Sequence, residues 1–152
     1  MQGIPFLQYE MIKGSRKVLL DYCGTLSLEH FTAAHPQFGK GGSIRNLLVH
    51  ICNTYQSWIG KYGLEQEIEF TPFGSIENVD DARQLFASID LLVADYLERY
   101  TDMNEEVRRD DIRTTALQFF THVITHEFHH KGQILSLSRH WGYTPVDTDI
   151  MR

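Results

Sequence analysis

The chain contains eight histidines, and five of them fall between positions 122 and 140. Two of these, His126 and His130, are four residues apart within a segment of helical periodicity. On a helix this spacing places both imidazoles on the same side, one turn apart. Neutral imidazole nitrogens are common ligands of transition metals. The pair is therefore a candidate for part of a metal site.

Both histidines fall within the apolar stripe of the segment that carries them. The stripe consists of Phe119, Val123, His126, His130, Ile134, Leu137 and Trp141. We therefore expect both imidazoles to point toward the centre of the protein, where an unpaired polar ring costs free energy. Two interpretations meet this requirement. The rings bind one divalent metal ion, or each is a core histidine that is hydrogen-bonded within the protein.

A metal site of this kind needs a third ligand, and His50 is the candidate. It lies in a second helical segment, between Val49 and Ile51, and we expect it to be buried. Its alternative role is that of a packed histidine bonded to a backbone carbonyl. Three neutral histidines leave a fourth coordination position for water or substrate, as in catalytic metal sites. Imidazole ligands favour zinc or nickel over magnesium or calcium, which prefer oxygen.

The residues from His126 to His130 also fit the pattern H-E-x-x-H of zinc proteases, in which Glu127 acts as general base. Two features argue against this interpretation. No glutamate follows Glu127 to supply a third ligand, and no strand is predicted that could hold a peptide substrate. The alternative for Glu127 is a residue on the flank of the helix that is bonded within the protein.

Four segments with helical periodicity must position these residues, at about 5–23, 43–62, 79–100 and 115–141. Ser43 and Asn78 are suitable N-caps. The apolar face of the first segment is predicted to be Leu7, Met11, Val18 and Tyr22. The connections 24–42, 64–77 and 101–114 are predicted to be loops, the first with a Gly41-Gly42 pair. The sequence predicts an all-α four-helix bundle in a single domain over residues 1–152.

The composition excludes several classes of protein. The chain has 14 Lys+Arg against 20 Asp+Glu and a formal net charge of −6, with no basic cluster, which argues against nucleic-acid binding. No apolar run is long enough to cross a membrane and no signal peptide is recognisable, so we expect a cytoplasmic protein. Cys23 and Cys52 form no C-x-x-C pair and are expected to be free thiols.

Two segments resemble the motifs of one known family. The run THEFHHKGQI at residues 125–134 looks like the signature of the DinB-like (DNA-damage-inducible) metalloenzymes, and SIRNLLVHI at 43–51 resembles their second motif. The resemblance covers nearly the whole chain. It implies a four-helix bundle, often dimeric, with a mononuclear zinc or nickel site formed by His50, His126 and His130. His129 matches a histidine that is common in the motif but is not a ligand.

The resemblance implies less about the reaction, because relatives include thiol-dependent transferases, isomerases and proteins described as hydrolases. We expect a metal-dependent transferase or hydrolase that acts on a small molecule, with a low-molecular-weight thiol as a candidate substrate. A binding protein without turnover and a metal-free structural histidine cluster are the alternatives. A homodimer is expected, and apolar residues off the main stripes support it: Phe6, Leu20, Leu91 and Phe128. Candidate pocket walls among the loop residues, with loop packing as the alternative for each, are Phe31, His35, Phe38, Phe70 and Phe73. Tyr55 and Trp58 are expected in the core.

Overall fold

A computed structural model describes residues 3–38 and 42–152, so Gly41 of the predicted glycine pair lies outside the described chain. The described chain is mostly helical, with four long helical segments, one short α-helix, two 3₁₀ turns (Pro36–Phe38 and Phe73–Ser75) and a two-stranded hairpin. In chain order the α-helices and strands are α1 (Ile4–Cys23), α2 (Leu28–Thr32), α3 (Ile44–Tyr55), α4 (Val79–Arg99), β1 (Glu106–Arg109), β2 (Ile112–Thr115) and α5 (Ala116–His140).

Local sequence explains where three of the long helices begin. The side chains of Ser43, Asn78 and Thr115 each accept a hydrogen bond from the backbone N–H three residues later. Such caps satisfy N–H groups that have no partner within the helix. The four predicted helical segments are confirmed to within a few residues. The 24–42 connection also contains α2, which sequence periodicity did not indicate.

The second predicted helix changes geometry part of the way along. After α3 the chain continues as a π-helix over Gln56–Gly63. This wider segment packs closely against α4, since a Cβ on Gly63 would lie 2.6 Å from Cε2 of Tyr96. The indole of Trp58 packs edge-on against Phe119 of α5, with the ring centroids 5.1 Å apart. The π segment therefore brings Trp58 beside the helix that carries the histidine motif.

The prediction that residues 101–114 contain no strand was wrong. Strands β1 and β2 pair antiparallel, with Arg108 opposite Arg113. Asp110 adopts φ 53° in the turn, a left-handed conformation that short polar residues tolerate. Each strand has four residues and Val107 is the one fully buried member, so no apolar alternation marks them. The all-α prediction is corrected to a mostly helical fold with one hairpin, and the four-helix arrangement stays a prediction.

The core lies where α3 packs against α4 and α5, and α1 packs against α4 and α5 from another side. The predicted apolar face of α1 was right for Tyr22, which is buried, and wrong for Leu7 and Met11, which are exposed while Tyr9 and Leu19 are buried. The buried face of α1 also contains Arg16. A charged side chain in the core interrupts the apolar periodicity, which is why the pattern indicated a different face.

Candidate metal centre

The three histidines singled out from the sequence converge at one point. His50 extends from α3, and His126 and His130 extend from successive turns of α5. The Nε2 atom of His126 lies 3.1 Å from Nε2 of His50 and 3.0 Å from Nε2 of His130. One ligand nitrogen from each ring falls within 4.8 Å of the other two. The packing of α3 against α5 thus brings together histidine side chains that are 76 residues apart in the chain.

The histidines face an opening at the surface and not the centre of the protein. His50 is exposed, and His126 and His130 are half-buried. The expectations that His50 is buried and that the α5 pair points into the core were therefore wrong. The core positions on these turns of α5 are taken by Glu127 and Lys131. Because these two side chains are charged, a prediction of the buried face from apolar residues did not include them.

A hydrogen bond orients the ring of His130. Its Nδ1 atom lies 2.7 Å from Oε1 of Gln133, one turn further along α5. An amide oxygen only accepts hydrogen bonds, so Nδ1 carries the proton and the lone pair lies on Nε2. Outer partners of this kind set the tautomer and orientation of metal-binding histidines. Gln133 therefore prepares Nε2 of His130 for a ligand at the point of convergence.

The spacing of the nitrogens fits a single transition-metal ion. Ligands at the Zn–N distance, with angles between 90° and tetrahedral, lie about 2.8–3.4 Å from one another. The two Nε2–Nε2 distances of 3.0 and 3.1 Å fall in that range. A single proton on Nε2 of His126 cannot make a linear bond to both neighbours, whereas one ion binds all three lone pairs. The donor set is also all nitrogen, which suits zinc or nickel.

The environment keeps the three imidazoles neutral. Burial, together with the neighbouring His130 and His50, lowers the pKa of His126 to about 3. Burial also lowers the pKa of His50 and that of His130 below the ordinary value. Neutral imidazole is the form that binds a metal. The site is thus ready to accept a cation without first losing protons.

Glu127 does not reach the histidines. Its two carboxylate oxygens accept hydrogen bonds from Nε and Nη2 of Arg16, at 2.7 and 3.0 Å. Tyr55 also donates its hydroxyl hydrogen to Glu127, at 2.5 Å. Arg16 in turn donates to Asp90, at 2.6 Å. The candidate role of Glu127 as general base of a zinc protease is therefore not supported, and its alternative interpretation as a residue bonded within the protein is the one that fits.

A cavity of about 330 Å³ opens beside the convergence point. The residues that line it come from α3, the π segment, the end of β1 and α5: His50, Asn53, Thr54, Ser57, Trp58, Arg109, His122 and His126. Tyr55 is fully buried as predicted, but Trp58 is half-buried and forms part of the cavity wall. Trp58 packs against the core as expected, and it lines the cavity as well.

Sequence reasoning missed most of this wall, although a signal for part of it was present. On α3 and its continuation, His50, Asn53, Thr54 and Ser57 follow a polar i, i+3, i+4, i+7 pattern, which marks one face of a helix. Nothing in the sequence indicates Arg109, because the hairpin that positions it was not predicted.

The loop residues proposed as pocket walls lie elsewhere. Phe31 is buried, and Phe70 and Phe73 are exposed. The rings of His35 and Phe38 pack against each other and against His140, near the end of α5. This cavity therefore has none of the five among its lining residues.

Within the described ranges, no helix is both long enough and apolar enough to cross a bilayer.

Comparison with known proteins supports the assignment to a family. The family model "DinB family" matches residues 1–152. The fold resembles the crystal structure of a DinB-like protein from Bacillus subtilis, with a TM-score of 0.68 and 16% identity over 91% of this chain and 95% of that one. A DinB-like protein from Bacillus cereus gives a TM-score of 0.68 and 18% identity over 93% of each chain. None of the curated proteins matches the chain.

Proposed function

The chain belongs to the DinB family, and from this premise we propose that His50, His126 and His130 hold one divalent metal ion that serves an enzymatic reaction. The observation that carries the proposal is the convergence of their Nε2 atoms, 3.0 and 3.1 Å apart. We propose zinc or nickel as the ion, because all three donors are imidazoles. Three neutral ligands leave the ion its full charge of +2 and an open position.

We propose a small molecule as the substrate and a transferase or hydrolase reaction as the chemistry. When bound, the ion would supply a Lewis acid that lowers the pKa of a thiol or of water in the open position. The protein contributes the rest. His50, His126 and His130 set the geometry, Gln133 orients His130, and the cavity beside His126 admits a substrate of limited size.

Two features support an enzyme over the alternatives. The cavity of about 330 Å³ opens directly onto His50 and His126, which a purely structural metal does not require. The histidines also lie at the surface opening, where exchangeable ligands reach them. A metal-binding protein without turnover is the second candidate, since no carboxylate of the described chain lines the cavity as a general base.

Metal analysis of protein prepared without a histidine tag tests the proposal. We expect about one equivalent of zinc or nickel per chain, and less than about a tenth of an equivalent would contradict the metal site. Addition of a low-molecular-weight thiol to cobalt-substituted protein separates the two reactions. A change in the cobalt spectrum favours thiol transfer, and an unchanged spectrum favours hydrolysis.

We also propose that the protein forms a homodimer, which follows from the family resemblance. Leu91 is exposed and Phe6 and Phe128 are half-buried, so these three provide apolar surface. Leu20 is buried within the chain and does not contribute. Light scattering at micromolar concentration checks the assembly, and a monomer mass contradicts it. The cytoplasm remains our prediction for its location.

A further inference from the structure

A cationic side chain, that of Arg109, lines the cavity beside the histidines. We infer from it that the substrate carries a carboxylate group, which Arg109 binds. Arg109 is the last residue of β1. It lines the same cavity as His50 and His126. The inference rests on the proposed function, because it assumes that the cavity is the substrate site. It assigns to Arg109 the role of a specificity-determining residue.

The guanidinium of Arg109 is held in place by two aromatic rings. Its Cζ atom lies 4.1 Å from the ring centroid of Trp58 and 4.9 Å from that of Tyr62. Cation–π contacts of this kind use the face of the guanidinium. The N–H donors lie at its edge, and stacking therefore leaves them available for a ligand.

The edge donors of Arg109 have no partner among the residues that the structure describes. Within residues 3–38 and 42–152, the side chain of Arg109 forms no ion pair and donates no hydrogen bond. Its neighbour Arg108 differs, because its Nε donates to Glu106 at 3.0 Å. Arg109 is also half-buried, whereas Arg108 is exposed. A positioned, partly desolvated and unpaired guanidinium in a chain of net charge −6 is a binding group for an anion.

A series of ring contacts links Arg109 to the histidine cluster. The Trp58 ring on which it stacks lies 4.5 Å from the ring of His122, which in turn lies 6.0 Å from the ring of His126. Trp58 and His122 therefore connect Arg109 to the histidine cluster along the wall of the cavity. A planar carboxylate matches two parallel guanidinium N–H donors. The substrate would then place its reacting group at the histidines and its carboxylate at Arg109.

Cobalt-substituted protein and pairs of matched thiols test this inference. The probes are 3-mercaptopropionate and 6-mercaptohexanoate, each compared with its neutral primary amide, and binding is followed by thiolate-to-cobalt absorption. We expect the protein to prefer at least one acid over its amide. Replacing Arg109 should reduce that preference about tenfold, since a hydrogen bond to a charged group is lost.

The matched control is the neighbouring arginine of the same strand. Arg109→Gln and Arg108→Gln change the net charge equally, but only the first removes a cavity residue. We expect R109Q to lose the preference and R108Q to keep it. Because the acid-to-amide ratio is compared between variants, intrinsic differences between the thiols cancel. A merely structural role of Arg109 would weaken acid and amide equally, and that result overturns the inference.

A second readout does not depend on the metal. If cobalt does not bind, the proposed function fails. The anion site is then tested in metal-free protein by iodide quenching of tryptophan fluorescence. A Trp141→Phe background leaves Trp58 as the one tryptophan of the chain. We expect R109Q, but not R108Q, to lower the ratio of iodide quenching to quenching by neutral acrylamide about twofold, because this ratio corrects for any change in the exposure of Trp58. An equal ratio in the two variants overturns the inference.

Discussion

His126 and Glu127 are consecutive residues of α5, yet their side chains lie in regions of opposite character. His126 meets His50 and His130 beside an open cavity. Glu127 is 3% exposed and pairs with Arg16 and Tyr55. Successive helical residues point about 100° apart, and one turn of α5 therefore serves both regions. The histidine cluster is open and the Arg16–Glu127 network is closed.

The difference lies in how the polar atoms are satisfied. In the closed network each oxygen of Glu127 accepts a hydrogen bond. Burial together with the charge of Glu127 raises the pKa of Tyr55 well above its ordinary value. The hydroxyl of Tyr55 therefore stays protonated and donates to Glu127. In the open cluster the three Nε2 atoms point at one another, and Nδ1 of His126 has no partner among the described residues. Complete pairing indicates a role in stability, whereas convergence without pairing indicates a ligand.

The largest effect is expected from breaking the closed network. Glu127→Ala leaves the buried Arg16 without its bidentate partner, and we expect a loss of about 3–5 kcal/mol in the free energy of unfolding. Urea denaturation of the metal-free protein measures it, with the exposed Glu98→Ala as control. The folded variant should still bind one metal ion. If it kept full stability but lost the metal, the two regions would not be separate.

The next largest effect is expected in the open cluster. His126→Ala removes one of three proposed ligands, and we expect metal affinity to fall by at least about 100-fold, or about 2.7 kcal/mol. Competition with a chromophoric chelator measures the affinity. The control is His129→Ala, since that side chain is exposed and lies outside the cluster. Equal metal affinity of the two variants would contradict the ligand assignment.

A smaller effect is expected from the residue that orients His130. Gln133→Ala removes the acceptor of the His130 Nδ1 proton, and we expect about tenfold weaker metal binding. The same chelator competition detects it. Ser136→Ala, one turn further along α5, is the matched control and should bind metal as the unchanged protein does. A Gln133 variant with undiminished affinity would show that packing alone orients the ring.

The smallest effect is expected from the cysteines. On α3, as on α5, a buried side chain lies close in sequence to a histidine of the open cluster. Cys52 follows His50 by two residues on α3 but is fully buried. Burial raises the pKa of Cys23 to about 12 and that of Cys52 well above its ordinary value. Between pH 7 and 9 both thiols therefore stay protonated in the folded chain. We expect a thiol reagent to label no more than about a tenth of one thiol per native chain.

The same labelling in urea should reveal both thiols, since the cysteines are free and their pKa values return to ordinary ones on unfolding. Rapid labelling of Cys52 in the native protein would contradict its burial.

Much of this arrangement was predictable from local patterns. The capping residues Ser43 and Asn78 and the apolar periodicity after them predicted the long helices, because both signals depend on neighbours within a few residues. The spacing of His126 and His130 predicted that they share a face for the same reason. Family motifs pointed to His50 as the third member of the cluster.

Which side of each helix is buried was decided by tertiary packing. Arg16 and Glu127 are buried in the core because they form an ion pair with each other there. The two residues are 111 positions apart, so the apolar periodicity of neither helix indicates the pair. The same pairing turns His126 and His130 toward solvent. Arg109 reaches the cavity because a short hairpin folds against the π segment, and strands of four residues carry too little apolar pattern to be recognised. Sequence alone therefore determined the helices and the histidine set, while long-range pairing of buried charges decided where that set faces.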